Sequence, residues 1–299
     1  MALEFDLSFE PAYGEPVQVF RGVSRLTAKN PGPFTFYGTN SYLVGENELA
    51  VIDPGPENDE HFDALMRAIG GRSVSHILVS HTHRDHSPLA ARLSNATGAR
   101  VYAQGPHRPA RTPPTGTPLD NSADTAFVPD VALADSALIS GDGWTLRTVL
   151  TPGHAANHAA FALEGAGLLF SADHVMAWST TIVAPHDGSM SDYMASLDKL
   201  IDRDDALLLP GHGGPVKNPH DYLRGLKAHR LARESAILEC LRRGDRSIDA
   251  MVRTIYRDID PKMHGAAALS VLAHLEYLVD RNLAETDGAP SIGGIFRPV

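Results

Sequence analysis

Short apolar runs alternate with polar stretches over the first two thirds of the chain. The runs are rich in valine, isoleucine and leucine and end at glycine, proline or aspartate, which is typical of β-strands. The predicted strands are 17–28, 41–53, 76–80, 100–103, 145–150, 158–163, 167–171 and 206–209. Apolar residues at helical spacing predict helices at 58–70, 87–97 and 189–202. This mixture predicts an α/β fold with many strands and few long helices.

The pattern changes near residue 220. Beyond it, apolar residues at helical spacing predict helices at 221–243, 247–257 and 264–281, and a glycine-rich end at 283–299 predicts a hairpin. Three helices and a hairpin suggest a small winged-helix-like unit. We therefore predict two domains, residues 1–220 and residues 221–299.

A proline-rich connection covers residues 104–141. It has no clear periodicity, so we predict a long irregular segment. Connections of this length inside a compact domain often serve as lids or binding loops.

Residues that bind metals stand at the ends of the apolar runs. The densest group is the sequence HTHRDH, residues 81–86, and other runs lead into single histidines and aspartates. Strand ends meet at one edge of an open sheet, so we expect these side chains to converge. The set is His81, His83, Asp85, His86, His154, Asp173, His212 and Asp53.

The spacing of the residues inside HTHRDH indicates how this segment could bind metal ions. In an extended segment His81 and His83 point to the same side, so they can bind one ion together. A turn after them would direct Asp85 and His86 to a second position. Neutral imidazole suits zinc, iron, copper or nickel, and a carboxylate can bridge two ions.

Composition narrows the class of protein. The hydrophobic fraction is 43% and no apolar run approaches the roughly 20 residues of a membrane span. The first residues lack the pattern of a secretory signal, and the single cysteine, Cys240, excludes an intramolecular disulfide. We expect a cytoplasmic protein that does not enter a membrane, with Cys240 as a small apolar filler of its helix.

Charge is unevenly distributed. Residues 221–299 hold 12 Lys and Arg against 11 Asp and Glu, whereas the rest of the chain holds 14 against 25. An acidic body argues against broad, unaided binding of a phosphate backbone.

The motifs together resemble those of the metallo-β-lactamase superfamily. HTHRDH matches its His-X-His-X-Asp-His signature, and TPGHAANH, FSADHV, LLPGHGGPV and VIDPGP resemble its other motifs in the right order. The resemblance spans about residues 20 to 220. It implies an αβ/βα sandwich with a dinuclear site at one edge.

The resemblance also implies the roles of individual residues. One divalent ion, with zinc expected, would be held by His81, His83 and His154. A second would be held by Asp85, His86 and His212, with Asp173 bridging the two. Asp53 would accept an imidazole N–H and so orient a ligand.

Further residues near these motifs are candidates for supporting roles. His158 could stabilise a substrate oxyanion and His174 could orient a ligand, although ordinary structural hydrogen bonding is the simpler interpretation of both. Asn40 and Tyr42 belong to an early strand near the site. After the signature, Ser87 is placed to cap the next helix and Pro88 to open it.

Such a site is a hydrolase site, in which a metal-bound hydroxide is the nucleophile and Asp85 orients it. It does not choose between phosphodiester, thioester, lactone and β-lactam substrates. The tail, in "HRLARE" and "VLAHLEYL", resembles the β-lactamase-like protein 2 family, a branch of which cuts single-stranded RNA. Arg224, Lys227, Arg230 and Arg233 recur at three-residue steps and could form a phosphate-binding face, or simply a solvated one.

We therefore predict a dinuclear hydrolase of single-stranded RNA, with a glyoxalase II-like hydrolase of small thioesters or esters as the alternative. An iron oxidoreductase of this fold fits less well, because His86 completes a second metal position and no flavodoxin-like domain is visible. A non-enzymatic metal-stabilised module and a secreted β-lactamase are also disfavoured, the latter because the start lacks an export signal.

Overall fold

A seven-stranded sheet forms the first half of the sandwich. The computed structural model describes residues 3–112 and 122–299. The strands lie in sequential order, antiparallel from the first to the fourth and parallel from the fourth to the seventh. They are β1 (Val17–Phe20), β2 (Val23–Thr27), β3 (Asn40–Val44), β4 (Glu48–Ile52), β5 (Ser73–Leu78), β6 (Arg100–Ala103) and β7 (Val131–Ala132). The predicted strands 17–28 and 41–53 are each a pair of strands, because a tight turn interrupts each of them.

A six-stranded sheet forms the second half. Its strands are β8 (Leu138–Gly141), β9 (Trp144–Leu150), β10 (Ala159–Leu163), β11 (Leu168–Ala172), β12 (Leu207–Pro210) and β13 (Val216–Lys217). Their order is β13-β12-β11-β10-β9-β8, and only β11 and β12 are parallel.

The prediction of an irregular segment at 104–141 is wrong in part, because β7 and β8 lie within it. β7 has two residues and β8 has four, so neither carries enough apolar positions to show a period. Residues 113–121 of this segment lie outside the described residues.

Helices α1 (Asp59–Ile69), α2 (Leu89–Thr97) and α3 (Met190–Ile201) connect parallel strands. Two of them have side-chain N-caps: the Asn58 side chain accepts from the amide of His61, and the Ser189 side chain accepts from that of Asp192. α1 and α2 pack on the first sheet, and α3 packs on the second. A central cluster joins the two sheets through residues such as Ile52 and Phe170. The predicted αβ/βα sandwich is confirmed.

The C-terminal part consists of helices and a small hairpin. Its elements are α4 (Pro219–Arg243), α5 (Ile248–Ile255), a 3₁₀ turn (Pro261–Met263), α6 (His264–Asp280), β14 (Ala284–Thr286) and β15 (Phe296–Pro298). Cys240 is buried in their common core beside Ile237 and Phe296, as predicted.

Helix α4 belongs to two cores. Leu223 and Leu226 pack with α3 against the second sheet, whereas Ile237 and Leu241 pack in the C-terminal core. The domain boundary at residue 220 therefore stays a prediction, since one helix supports both parts. No helix in the described ranges is both long and apolar enough to cross a bilayer.

The predicted phosphate-binding face of α4 is not a free surface. Arg230 is only 4% exposed, Lys227 pairs with Asp198, and Arg233 stacks on Tyr256. Only Arg224 extends into solvent, with a side chain 64% exposed. Within the three-residue repeat, Lys227, Arg230 and Arg233 therefore lie on the side of the helix that packs against its neighbours.

We expect Leu226→Ala to lower the free energy of unfolding by about 2–5 kcal/mol, because it opens a cavity where α4 meets the second sheet. Leu231→Ala on the same helix is the control. Its side chain is 44% exposed against 1% for Leu226, so it should cost about 0.5 kcal/mol or less. Urea unfolding followed by circular dichroism measures both. Equal losses would contradict the packing of α4.

Candidate metal centre

All seven predicted metal ligands meet at one edge of the sandwich. They form two groups, and the ligand atoms of each group lie within 4.8 Å of one another. The first group is His81, His83 and His154, and the second is Asp85, His86, Asp173 and His212. The grouping is the one that the resemblance implies, except that Asp173 lies in the second group. The role of these residues as ligands stays a proposal.

The first group is three imidazoles with nitrogens facing one point. Nδ1 of His83 lies 3.0 Å from Nε2 of His81 and 3.0 Å from Nε2 of His154. The opposite nitrogen of each ring bonds outward. His154 donates to the carbonyl of Ile182 at 2.7 Å, and His83 bonds Asp187 at 2.7 Å.

His81 is oriented through a serine. The Ser80 hydroxyl donates to Asp53 at 2.7 Å and therefore accepts from Nδ1 of His81 at 2.9 Å. Asp53 also accepts from Nδ1 of His86 at 2.9 Å. The prediction that Asp53 accepts an imidazole N–H is confirmed, and this one carboxylate orients a histidine of each group.

The second group combines two histidines with two carboxylates. Nδ1 of His212 donates to the carbonyl of Gly38 at 3.1 Å, so its Nε2 faces inward, 3.1 Å from Asp173 and 3.2 Å from Asp85. Nε2 of His86 lies 3.4 Å from Asp85 and 3.5 Å from Asp173. Asp173 also lies 3.7 Å from His154, which places it between the groups.

The residues fit a pair of divalent cations. A neutral imidazole that donates through one nitrogen has a lone pair on the other. Each of the five histidines is bonded on its outer nitrogen, so its inner nitrogen is the one available to a metal ion. Nε2 of His86 and Oδ1 of Asp173 are buried without a hydrogen-bond partner in the described part of the chain. Nitrogen and carboxylate donors at this spacing suit zinc and similar ions.

The electrostatics of the two groups differ. Burial lowers the pKa of His81 well below its ordinary value, and the neighbouring imidazoles add to this. In the second group burial also lowers the pKa of His212. The carboxylates of Asp173 and Asp85 outweigh this effect and raise that pKa to about 10. The same carboxylates, with Asp53, raise the pKa of His86 well above its ordinary value. The carboxylates of this group therefore favour the protonated form of His86 and His212 when no metal is bound.

Backbone contacts hold the His212 segment against the site. A Cβ on Gly211 would lie 2.3 Å from Oδ1 of Asp173, so only glycine permits this close approach. Asn40 donates to the carbonyls of Pro210 and Gly213, and the Tyr42 hydroxyl donates to Pro210 at 2.6 Å. Asn40 and Tyr42 therefore position His212, a role that the sequence left open.

Asp187 was missed by the sequence analysis. It is 5% exposed, and its Oδ2 accepts from Nε2 of His83. It stands in a polar stretch just before α3 and follows no apolar strand, so the strand-end pattern did not include it. The only signal was its place two residues before the helix cap Ser189.

His158, a candidate to stabilise a substrate oxyanion, is buried beside His81. It is 1% exposed, bonds the Thr151 hydroxyl through Nδ1, and packs behind His81 with ring centroids 5.2 Å apart. The geometry favours the simpler structural interpretation. His174 packs on Tyr193, and neither of its ring nitrogens bonds a metal-binding residue among the described side chains.

The predicted helix cap after the signature is wrong. The Ser87 hydroxyl bonds the carbonyl of His83 and the carboxylate of Asp124, so it stabilises the signature loop instead. α2 has no side-chain cap, and Pro88 precedes it with helical backbone angles.

Comparisons with known proteins agree with this fold and site. The family model of the metallo-β-lactamase superfamily matches residues 34–212, and that of the β-lactamase-associated winged-helix domain matches residues 247–292. The chain therefore belongs to the metallo-β-lactamase superfamily. It is a metal-dependent hydrolase that carries the associated winged-helix domain.

Three relatives illustrate the range of the family. A β-lactamase-like protein 2 homolog of Drosophila melanogaster is 29% identical over 86% of this chain and 87% of its own. The lactamase-like protein adaB of Aspergillus niger is 30% identical over 78% of this chain and 68% of its own. The atrochrysone carboxyl ACP thioesterase dmxR1 of Cryptosporiopsis sp. is 28% identical over 77% of this chain and 66% of its own.

A solved structure has the same overall architecture. The metallo-β-lactamase family protein TTHA1429 of Thermus thermophilus is 26% identical, with a TM-score of 0.75, covering 94% of this chain and 100% of that one. The likeness includes the C-terminal helices as well as the sandwich.

We expect the purified chain to bind about two divalent ions and to release protons as it does so. Because nearby carboxylates raise the pKa of both His86 and His212, we expect their inner nitrogens to hold protons at pH 7 that a metal must displace. Because the pKa of His212 is about 10, release should shrink as the pH approaches that value. Calorimetric titration of zinc in buffers of different ionisation enthalpy measures the release. A binding enthalpy that does not depend on the buffer at pH 7 would contradict the proposed centre.

We expect Asp187→Asn to weaken metal binding or activity by about 10- to 100-fold, because Nε2 of His83 loses its charged partner. Asp204→Asn, on an exposed turn, is the control. Competition with a chromogenic chelator gives the metal affinity of both variants. Unchanged affinity and unchanged turnover in Asp187→Asn would show that this carboxylate does not orient His83.

Proposed function

We propose that the protein hydrolyses esters or thioesters with a largely apolar acyl group, using two divalent ions, with zinc expected, at the centre described above. The observation that carries this proposal is the lining of the cavity at the metal centre. The metal-binding residues form its floor, and apolar side chains form its walls.

The catalytic cavity has a volume of about 390 Å³, within the range of small-molecule sites. His83, Asp85, His154, Asp173 and His212 line one side of it. The apolar residues that line it are Phe34, Met176, Ile182, Ala184, Ala266 and Leu269. No lysine or arginine lines it among the described residues, so its walls favour an uncharged acyl chain.

The C-terminal helix α6 supplies part of these walls through Ala266 and Leu269. The winged-helix domain therefore shapes the substrate cavity directly. This supports a role for the domain in binding the acyl group, and it does not require nucleic acid as a partner.

Divalent ions bound here would lower the pKa of water towards 7 and polarise a carbonyl oxygen. Asp85 is placed to orient the attacking water, because its side chain is 24% exposed whereas that of Asp173 is 8% exposed. Its Oδ2 accepts from the Thr39 hydroxyl at 3.3 Å, which fixes the carboxylate at the floor of the cavity. We therefore keep Asp85 as the catalytic residue and give His158 a structural role.

A relative supports the choice of substrate class. The Cryptosporiopsis protein is named as a thioesterase that acts on an acyl group carried by ACP. Cleavage of single-stranded RNA, predicted from the tail, finds less support here. The catalytic cavity lacks cationic walls among the described residues, and most of the basic face of α4 is packed against other elements.

We expect the zinc-loaded protein to hydrolyse butanoyl-N-acetylcysteamine and to leave a single-stranded RNA oligonucleotide intact. His83→Ala should lose more than about 100-fold in kcat/KM, because it removes a metal-binding side chain outright. His220→Ala, outside the site, is the control. Thiol release detected with a disulfide reagent measures the first reaction, and gel electrophoresis measures the second. RNA cleavage that His83→Ala abolishes, without thioester turnover, would reverse the assignment.

A further inference from the structure

A second cavity adjoins the catalytic one, between the sandwich and the C-terminal helices. Its volume is about 250 Å³. Four residues line both cavities: Phe34, Met176, Ile182 and Ala266. The two cavities therefore meet at these side chains, and a substrate that occupied both would contact all four of them.

Two arginines of α4, Arg230 and Arg233, line this second cavity. Neither has a carboxylate within 4.0 Å in the part of the chain that the structure describes. The neighbouring Glu234 does not compensate them, because it pairs with Arg281 at 2.8 Å. The cavity thus holds two guanidinium groups without a counter-ion among the described residues.

The existing contacts of these arginines leave binding capacity unused. Arg230 donates to the carbonyl of Thr181 and lies over the ring of Tyr193. Arg233 lies 4.4 Å over the ring of Tyr256 and makes one long bond, 3.5 Å, to the carbonyl of Ile255. The Nε atoms of both are buried and unpartnered among the described residues.

A buried charge without a partner costs free energy. A guanidinium with unused N–H donors is suited to an anion that can accept two parallel hydrogen bonds, such as a carboxylate or a phosphate. The other walls of this cavity are largely apolar and aromatic, including Trp178, Ile259 and Met263. A substrate with an anionic end group on an uncharged carbon chain would match these arginines and apolar walls.

We propose that the second cavity binds a negatively charged end group of the substrate, a carboxylate or a phosphate, with Arg233 as the contact residue and Arg230 behind it. The inference rests on the proposed ester or thioester hydrolysis and names its substrate class more closely. The reacting carbonyl lies at the metal centre and the anionic end lies under α4. The C-terminal part of the chain, which provides Arg233 on α4 and its partner Tyr256 at the end of α5, then acts as a specificity element.

Two matched pairs of thioesters test the proposal and locate the anion. Pentanoyl- and glutaryl-N-acetylcysteamine differ by a carboxylate on the acyl side. Pentanoyl-pantetheine and pentanoyl-4′-phosphopantetheine differ by a phosphate on the thiol side. The zinc-loaded protein should prefer the anionic member of one pair by about tenfold or more in kcat/KM, mainly through KM.

Arg233→Gln should abolish that preference and leave the neutral substrates within about twofold, since a neutral substrate makes no ion pair. Arg233→Lys should retain part of it. Arg224→Gln, an exposed position on the same helix, should behave as the unchanged protein. Equal turnover within both pairs, or a preference that survives in Arg233→Gln, would overturn the anion site while leaving the proposed hydrolysis intact.

A binding measurement separates the two proposals if no thioester is hydrolysed. Calorimetry with glutarate and with inorganic phosphate compares the zinc-loaded protein with zinc-loaded Arg233→Gln, whose metal centre is unchanged. Weaker binding to the variant would support the anion site even though the proposed hydrolysis had failed. Equal binding, or none to either protein, would overturn the site.

Discussion

The structure depends on the convergence of histidine lone pairs at one edge of the sandwich. Nitrogens 3.0 Å apart in His81, His83 and His154 cannot all carry protons, and their outer nitrogens are already committed. Such an arrangement is stable only when a cation occupies its centre or a proton is shared. The surrounding fold must therefore hold each ring against its neighbours' repulsion. Outward hydrogen bonds to Asp53, Asp187 and backbone carbonyls provide that force.

This constraint explains how the sheets are built. Asp53 directly follows β4, and the signature begins just after β5, its parallel neighbour, so one carboxylate can reach both Ser80 and His86. Asp173 directly follows β11 and His212 follows β12, again a parallel pair. The parallel strands thus deliver all of the ligands except His154, which follows the antiparallel strand β9.

Much of this could be predicted from the sequence, because ligands at strand ends leave a local signal. His81 to His86 and the isolated histidines were found by position and residue type alone. Asp187 could not be found in this way, since it acts across the site on His83 from a segment without periodicity. The short strands β7 and β8 were not predicted for a similar reason, because a strand of two to four residues cannot show a hydrophobic period. Burial of His158 depends on the packing of both sheets, which no local pattern reports.

The basic repeat of α4 shows that a pattern can identify which residues share a side of a helix without showing whether that side is exposed to solvent. Arg230 and Arg233 do share a side of the helix, but the hydrolase domain and Tyr256 cover that side. Charge that could have formed a phosphate-binding or a solvated face instead faces a cavity next to the metal centre. Burial strengthens the attraction between such a charge and a small anion, because fewer water molecules screen it. A cationic helix face that packs inward is therefore better suited to selecting one end of a small substrate than to binding a nucleic-acid backbone.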